Sequence, residues 1–269
     1  MKNLLMVSAA LAVLLGTPAL AADMPVKAPP PPAPVWSWTG FYIGADAGYA
    51  WNQGTGGRTC VNPAGVAFGS GCTLNIENSI ISQRGGLVGG EAGYNIQSGI
   101  FLAGIETDIQ WSDIKASATA QLGSLASPTC CYLASANMDW FGTTRFRVGF
   151  LPTQSLLLYI TGGAIYGHES VSGVTNFITS GFIYPATAST VRGGVIGGAG
   201  LEYAFNWNLS AKVEGLVYDM GNINAVFACP AGATTCTPGF REGGTFAARG
   251  VIARAGLNWH FGGPVVANY

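Results

Sequence analysis

Residues 100–112 read IFLAGIETDIQWS, and this stretch decides the fold. Phe101, Ala103, Ile105, Thr107, Ile109 and Trp111 occupy one phase of a period-two alternation; Gly104, Glu106, Asp108 and Gln110 occupy the other. Successive side chains of an extended strand point to opposite faces, so one face here is apolar and the other carries two carboxylates. A helix would need apolar residues at steps of three and four, which the stretch lacks. An apolar face against lipid and a charged face in a lumen is the pattern of a transmembrane barrel.

Seven further segments carry the same alternation. Thr39–Trp51 places Phe41, Ile43, Ala45, Ala47, Tyr49 and Trp51 outward, with Tyr42, Gly44, Asp46, Gly48 and Ala50 inward. Gly86–Ile96 turns Glu91 inward, and Met138–Leu151 does the same with Arg145 and Arg147. Leu156–Gly167 follows. Val191–Phe205 has Glu202 inside, Leu209–Tyr218 has Lys212 and Glu214, and Thr245–Phe261 has Arg254, Asn258 and His260. The expected fold is therefore all-β, an eight-stranded antiparallel up-and-down transmembrane β-barrel over 38–261.

Composition agrees. The 269 residues are 49% hydrophobic and only 9% charged, against about 25% charged in an average soluble domain. No internal run reaches the roughly 18 apolar residues of a membrane helix. The 40 glycines are about 15% of the chain, roughly twice the usual share of about 7%, without a collagen period. A net charge of −1 and the lack of a basic run give no nucleic-acid surface.

The connections alternate in length. Short ones fall at 97–99, 152–155 and 206–208, and long ones at about 52–79, 114–137, 168–190 and 219–244. Short periplasmic turns and longer outer loops are the rhythm of outer-membrane barrels. All six cysteines, Cys60, Cys72, Cys130, Cys131, Cys229 and Cys236, are expected in the long loops as disulfide candidates. Cys60–Cys72 and Cys229–Cys236 are plausible local pairs, but the sequence does not choose a connectivity.

Ahead of the barrel, Met1–Ala21 has a basic start at Lys2, an apolar core over Leu4–Leu15 and a small-x-small end at Ala19–Ala21. It reads as a cleaved secretory signal peptide. Residues 22–37 read as a proline-rich periplasmic linker of extended, stiff character. Residues 262–269 form a C-terminal tail.

An eight-stranded barrel is only wide enough for its own side chains. Asp46, Glu91, Glu106, Asp108, Glu202 and Glu214 are expected inside with Arg145, Arg147, Lys212 and Arg254. Buried charges must be paired, so a barrel-interior charge network follows. Gly44, Gly48, Gly93, Gly104, Gly149 and Gly200 are expected to make room for it.

The stretches WTGFYIGADAGYAW (38–51), GGLVGGEAGYN (85–95), DWFGTTRFRVGF (139–150), LYITGGAIYG (158–167) and ARAGLNWHF (253–261) together resemble the alphaproteobacterial outer-membrane immunogenic proteins, small porin-named barrels with an OmpA-like transmembrane domain. The resemblance implies an outer-membrane location, a surface-exposed antigen and a role in envelope structure. It brings no catalytic residues and no cofactor. Phe261 matches the aromatic residue that closes the last strand in such proteins. Lipopolysaccharide and the barrel-assembly machinery are the expected partners; contacts with a host or with peptidoglycan stay open.

Two rival functions are weighed. A small porin for passive diffusion fits the family name, but the narrow lumen opposes it. An H-x-S pair at His168 and Ser170 resembles that of outer-membrane lipid A deacylases. Such chemistry needs an acid beside the histidine, and Glu169 points to the opposite face. A non-enzymatic barrel with no metal site is the expectation.

Overall fold

The computed structural model describes residues 36–61, 80–124, 127–177, 182–206, 208–228 and 241–262. Eight strands follow in chain order: β1 (Gly40–Val61), β2 (Ile80–Ser98), β3 (Phe101–Ser124), β4 (Ser127–Thr153), β5 (Leu156–Phe177), β6 (Phe182–Ala204), β7 (Leu209–Ala228) and β8 (Arg241–His260). Each pairs antiparallel with its sequence neighbour, and β1 pairs with β8 to close the barrel. Closure leaves no free sheet edge within the ring. The expected architecture is the observed one.

Side-chain phase follows the alternation throughout the membrane band. Phe41 is 67% exposed and Tyr42 only 1%. On β3 the outward row runs from Phe101 to Trp111, with Glu106, Asp108 and Gln110 buried. Ten residue steps at about 3.3 Å make roughly 33 Å along the strand, or about 25 Å along the membrane normal at the usual tilt. That is the height of a barrel's apolar band. Aromatics bracket it, with Phe41, Phe101 and Phe150 at one end and Trp51 and Trp111 at the other.

The short connections match expectation. A two-residue turn joins β2 to β3, and Gly99 has φ +60°. A side chain there would strain the backbone, and a first turn position with positive φ suits a tight hairpin. Gln154–Ser155 and residues 205–208 make the other two.

The long connections differ from expectation. Of the four stretches read as loops, the described residues are strand. β3 and β4 continue pairing to Ser124↔Ser127, and β5 and β6 to Phe177↔Phe182. Strands of 19 to 27 residues greatly exceed the roughly 9–11 needed to cross a bilayer. The hairpins thus stand beyond the band, where neither face needs lipid and the alternation that marks a spanning strand is no longer imposed. The ring opens there. The β6–β7 ladder ends at Val195↔Asp219, so the outer part of β6 has a free side toward β7 and tolerates Pro185.

The placement of the cysteines changes accordingly. Cys60 lies in β1, and Cys130 and Cys131 lie in β4, opposite Leu122 and Gln121 of β3. They are strand positions of the extensions and not loop residues. Cys72, Cys229 and Cys236, the signal segment, residues 22–35 and the tail from 263 lie outside the described residues. Phe261 directly follows β8, and its N–H donates to the carbonyl of Phe41 at 2.9 Å.

Candidate functional site

The buried inward side chains form three layers, and the middle one gathers all ten charged residues expected inside. They come from β1, β2, β3, β4, β6, β7 and β8. Arg145 and Arg147 reach inward from β4, two residues apart on one face, and are 0% and 1% exposed. Arg145 pairs with Glu106, with Asp108 at 3.1 Å and with Glu214 at 3.3 Å. Arg147 holds Glu202 at 2.7 Å and Glu106 at 3.1 Å. Lys212 Nζ lies 2.5 Å from Glu91 and 3.0 Å from Glu106. Arg254 lies 2.6 Å from Glu214, 3.1 Å from Asp108 and 3.3 Å from Asp46. Glu106 is the hub, paired with all four cations.

Neutral groups complete the layer. The Tyr42 hydroxyl donates to Glu106 at 2.7 Å and the Tyr159 hydroxyl to Glu214 at 2.9 Å. The Thr143 hydroxyl donates to Asp108 at 2.6 Å while accepting from Arg145 Nε at 3.0 Å. Gln110 donates to Asp46 at 3.1 Å. Ser210 and Asn258 donate to Glu202 at 2.5 and 2.9 Å. The Arg147 guanidinium stacks over the Tyr159 ring, 4.4 Å from its centroid. Mutual pairing of this density offsets the desolvation cost of buried charge.

Glycines make this packing possible. A Cβ on Gly93 would come within 2.4 Å of the Tyr42 ring, and one on Gly200 within 2.6 Å of the Tyr159 ring. Each tyrosine lies flat over the glycine of the neighbouring strand, the pattern of an aromatic side chain covering a strand glycine. The expectation that lumen glycines make room for inward side chains is met here, and also at Gly104 beside Arg147.

Apolar layers flank the charged layer on both sides. Toward the short turns, Trp38, Leu102, Leu151, Leu157, Tyr159 and Ala204 form an apolar cluster with Trp36 packed on it. Trp38 is strapped across the mouth: its indole N–H donates to the carbonyl of Gln154 at 3.0 Å, and its amide to Gln97 Oε1 at 3.0 Å. Trp36, from the end of the segment read as linker, sits edge-on to Trp38 and His260. Toward the long hairpins, Leu87, Ile114, Met138, Phe141, Ile165, Ile196, Leu216, Tyr218 and Ile252 form a second apolar layer. Neither apolar layer was expected from the alternation. Their signal is present: at Leu157, Ile165, Ile196, Leu216 and Ile252 the inward phase is itself apolar.

His260 is buried beside Glu202 and Ser210, at 3.3 and 2.9 Å. Glu169 points into the lumen, as expected, and lies 3.9 Å from Arg192. His168 and Ser170 take the outward phase on β5. Among the described residues no group of His, Cys, Asp and Glu side chains has the arrangement of a metal site. The cysteine side chains lie outside the described residues.

Comparison with known proteins agrees with this architecture. A family model described as outer membrane protein beta-barrel domain matches residues 7–232. The 31 kDa outer-membrane immunogenic protein of Brucella melitensis is 37% identical over 233 residues, 84% of this chain and 90% of its own length. The 25 kDa outer-membrane immunogenic protein of Brucella abortus is 28% identical over 229 residues, 83% and 87% of the two chains. Both names describe immunogenic proteins of the outer membrane. Among solved structures, the outer membrane protein OprG from Pseudomonas aeruginosa aligns with 84% of this chain and 98% of its own at 12% identity and a TM-score of 0.48. With eight antiparallel strands closed into a ring and a family match over most of its length, the chain belongs to the outer membrane protein beta-barrel domain family.

Proposed function

We propose that this chain is a structural outer-membrane barrel and surface-exposed antigen that supports envelope integrity through a solid, non-conducting body. The observation that carries the reading is the packing of the inward side chains: Arg145 and Arg147 are fully buried between two apolar layers, with Trp38 strapped across one mouth. A water path needs a continuous polar lining, and two apolar seals interrupt it. The tall paired hairpins support a display role, because they project beyond the lipid band. Export by a cleaved signal peptide ending at Ala21, insertion by the barrel-assembly machinery and contact with lipopolysaccharide complete the reading. The porin alternative draws on the family resemblance alone.

A deletion strain tests the structural role. Its sensitivity to detergents and bulky hydrophobic antibiotics should rise and return to normal when the full chain is restored. Antibodies against the hairpins should label intact cells. Unchanged sensitivity together with unlabelled cells contradicts the proposal.

A further inference from the structure

Outside the lumen, three polar side chains converge on the lipid-facing wall. His168 lies on β5 in the outward row that includes Ile160, Ala164 and Tyr166. Its Nδ1 is 3.2 Å from Asp139 Oδ2 on β4, and its Nε2 is 2.8 Å from Ser189 Oγ on β6. A β-bulge brings the acid in. The β4–β5 register shifts between Met138↔Glu169 and Trp140↔His168, so Asp139 is an extra residue with no partner in the ladder. Bulges re-aim side chains in this way. Ser189 pairs across the ladder with Ser170, whereas His168 pairs with Val191, so the histidine and Ser189 meet on the diagonal.

The proton arrangement follows from the partners. A carboxylate only accepts, so Asp139 places the imidazole proton on Nδ1 and leaves the Nε2 lone pair toward the Ser189 hydroxyl. A hydroxyl held by a base, and a base oriented by a third group, is the arrangement of an activated serine.

We propose that Ser189, His168 and Asp139 form a serine-hydrolase site for the acyl esters of membrane lipids. Placement supplies the substrate class. His168 pairs with Trp140, and Trp140 with Trp111, so the site continues the aromatic girdle that marks the headgroup level. With the short turns facing the periplasm, this is the outer-leaflet boundary. Val191 is exposed beside His168, and Tyr166, Val195 and Ile160 on the wall below, forming an apolar track for an acyl chain whose ester carbonyl reaches Ser189. The Asp139 and His168 side chains are 61% and 29% exposed, so water has access.

Ser189 Oγ attacks the ester carbonyl carbon and its proton passes to His168 Nε2. The tetrahedral intermediate collapses with cleavage of the ester C–O bond, and the departing alkoxide takes the proton from Nε2 and leaves as the alcohol. Water then attacks the acyl-serine and gives a proton to Nε2. Collapse releases the fatty acid, and the proton returns to Ser189. Asp139 is a positioning residue that holds the ring and balances the imidazolium. Ser170, opposite Ser189 on the same face, is the hydroxyl assigned to the oxyanion. The site is on the outer wall and stands whether or not the lumen conducts.

The test uses the purified full chain, with folding scored by heat-modifiable mobility on a detergent gel. A fluorophosphonate probe should form an adduct on Ser189, located by mass spectrometry and absent in Ser189→Ala. His168→Ala should slow labelling about 100-fold or more, the share of a general base. Asp139→Asn should slow it about tenfold or more, and Asp139→Glu should recover part of the loss. Phosphatidylethanolamine vesicles and vesicles with added lipopolysaccharide separate the two lipid sources: fatty acid released from the first identifies glycerophospholipid, and from the second alone, an acylated glycolipid. No adduct on Ser189 overturns the site. Hydrolysis that persists in Ser189→Ala overturns it equally, and labelling without fatty acid from either vesicle overturns the lipid-ester assignment.

Discussion

Glu106 and Asp139 are carboxylates on neighbouring strands of the same barrel, and their surroundings are opposite. Glu106 lies in the middle of the lumen, buried, paired with four cations and accepting from Tyr42. Asp139 stands on the outer wall, 61% exposed, with His168 as its hydrogen-bond partner. The difference separates what charge does in each place. In the buried layer a charge is tied to the fold, because removing it leaves its partners short of a counter-charge where water does not readily replace it. On the rim water solvates whatever is left behind, so the side chain contributes little stability and is free to serve chemistry.

Arg145→Ala is the largest expected break in this comparison. It takes one cation from Glu106, Asp108 and Glu214 together, leaving Arg254 to serve all three, and loss of one partner from a buried ion pair costs about 3–5 kcal/mol. Denaturant unfolding from lipid vesicles measures it; a midpoint unchanged from wild type would remove Arg145 from the lumen. Leu216→Ala comes next. It opens a cavity in the apolar layer toward the long hairpins, for about 2–5 kcal/mol in the same assay, and a neutral result would mean that the layer is loosely packed. Asp139→Asn is the smallest, within about 0.5 kcal/mol of wild type. A large destabilisation there would make the rim cluster a structural contact like those of the lumen.

The sequence made the charged layer legible because polar and apolar residues alternate cleanly where one face meets lipid and the other meets charge. Ile100–Ser112 and Thr39–Trp51 show it best, and each inward charge lies where its phase placed it. The apolar seals were not legible for the converse reason. On β5, Leu157 and Ile165 point inward while Leu158, Ile160 and Tyr166 point outward, so both phases look apolar and period two gives no direction. The hairpin extensions were hidden because strands beyond the membrane need no lipid face, and their Gly, Ser, Thr and Asn content resembles loop. The rim cluster was hidden by a register shift. His168-x-Ser170 is visible in the chain, but the serine that meets the imidazole is Ser189 and the acid is the bulged Asp139, and neither follows from local spacing.

Single-channel recording of the purified chain in planar bilayers tests the proposed non-conducting lumen most directly. The account predicts a silent membrane for the wild-type protein at every voltage the bilayer withstands. Stable, ohmic steps of porin size from folded wild-type protein would contradict it, since no such current can cross two apolar layers with the Arg145–Glu106 network intact between them.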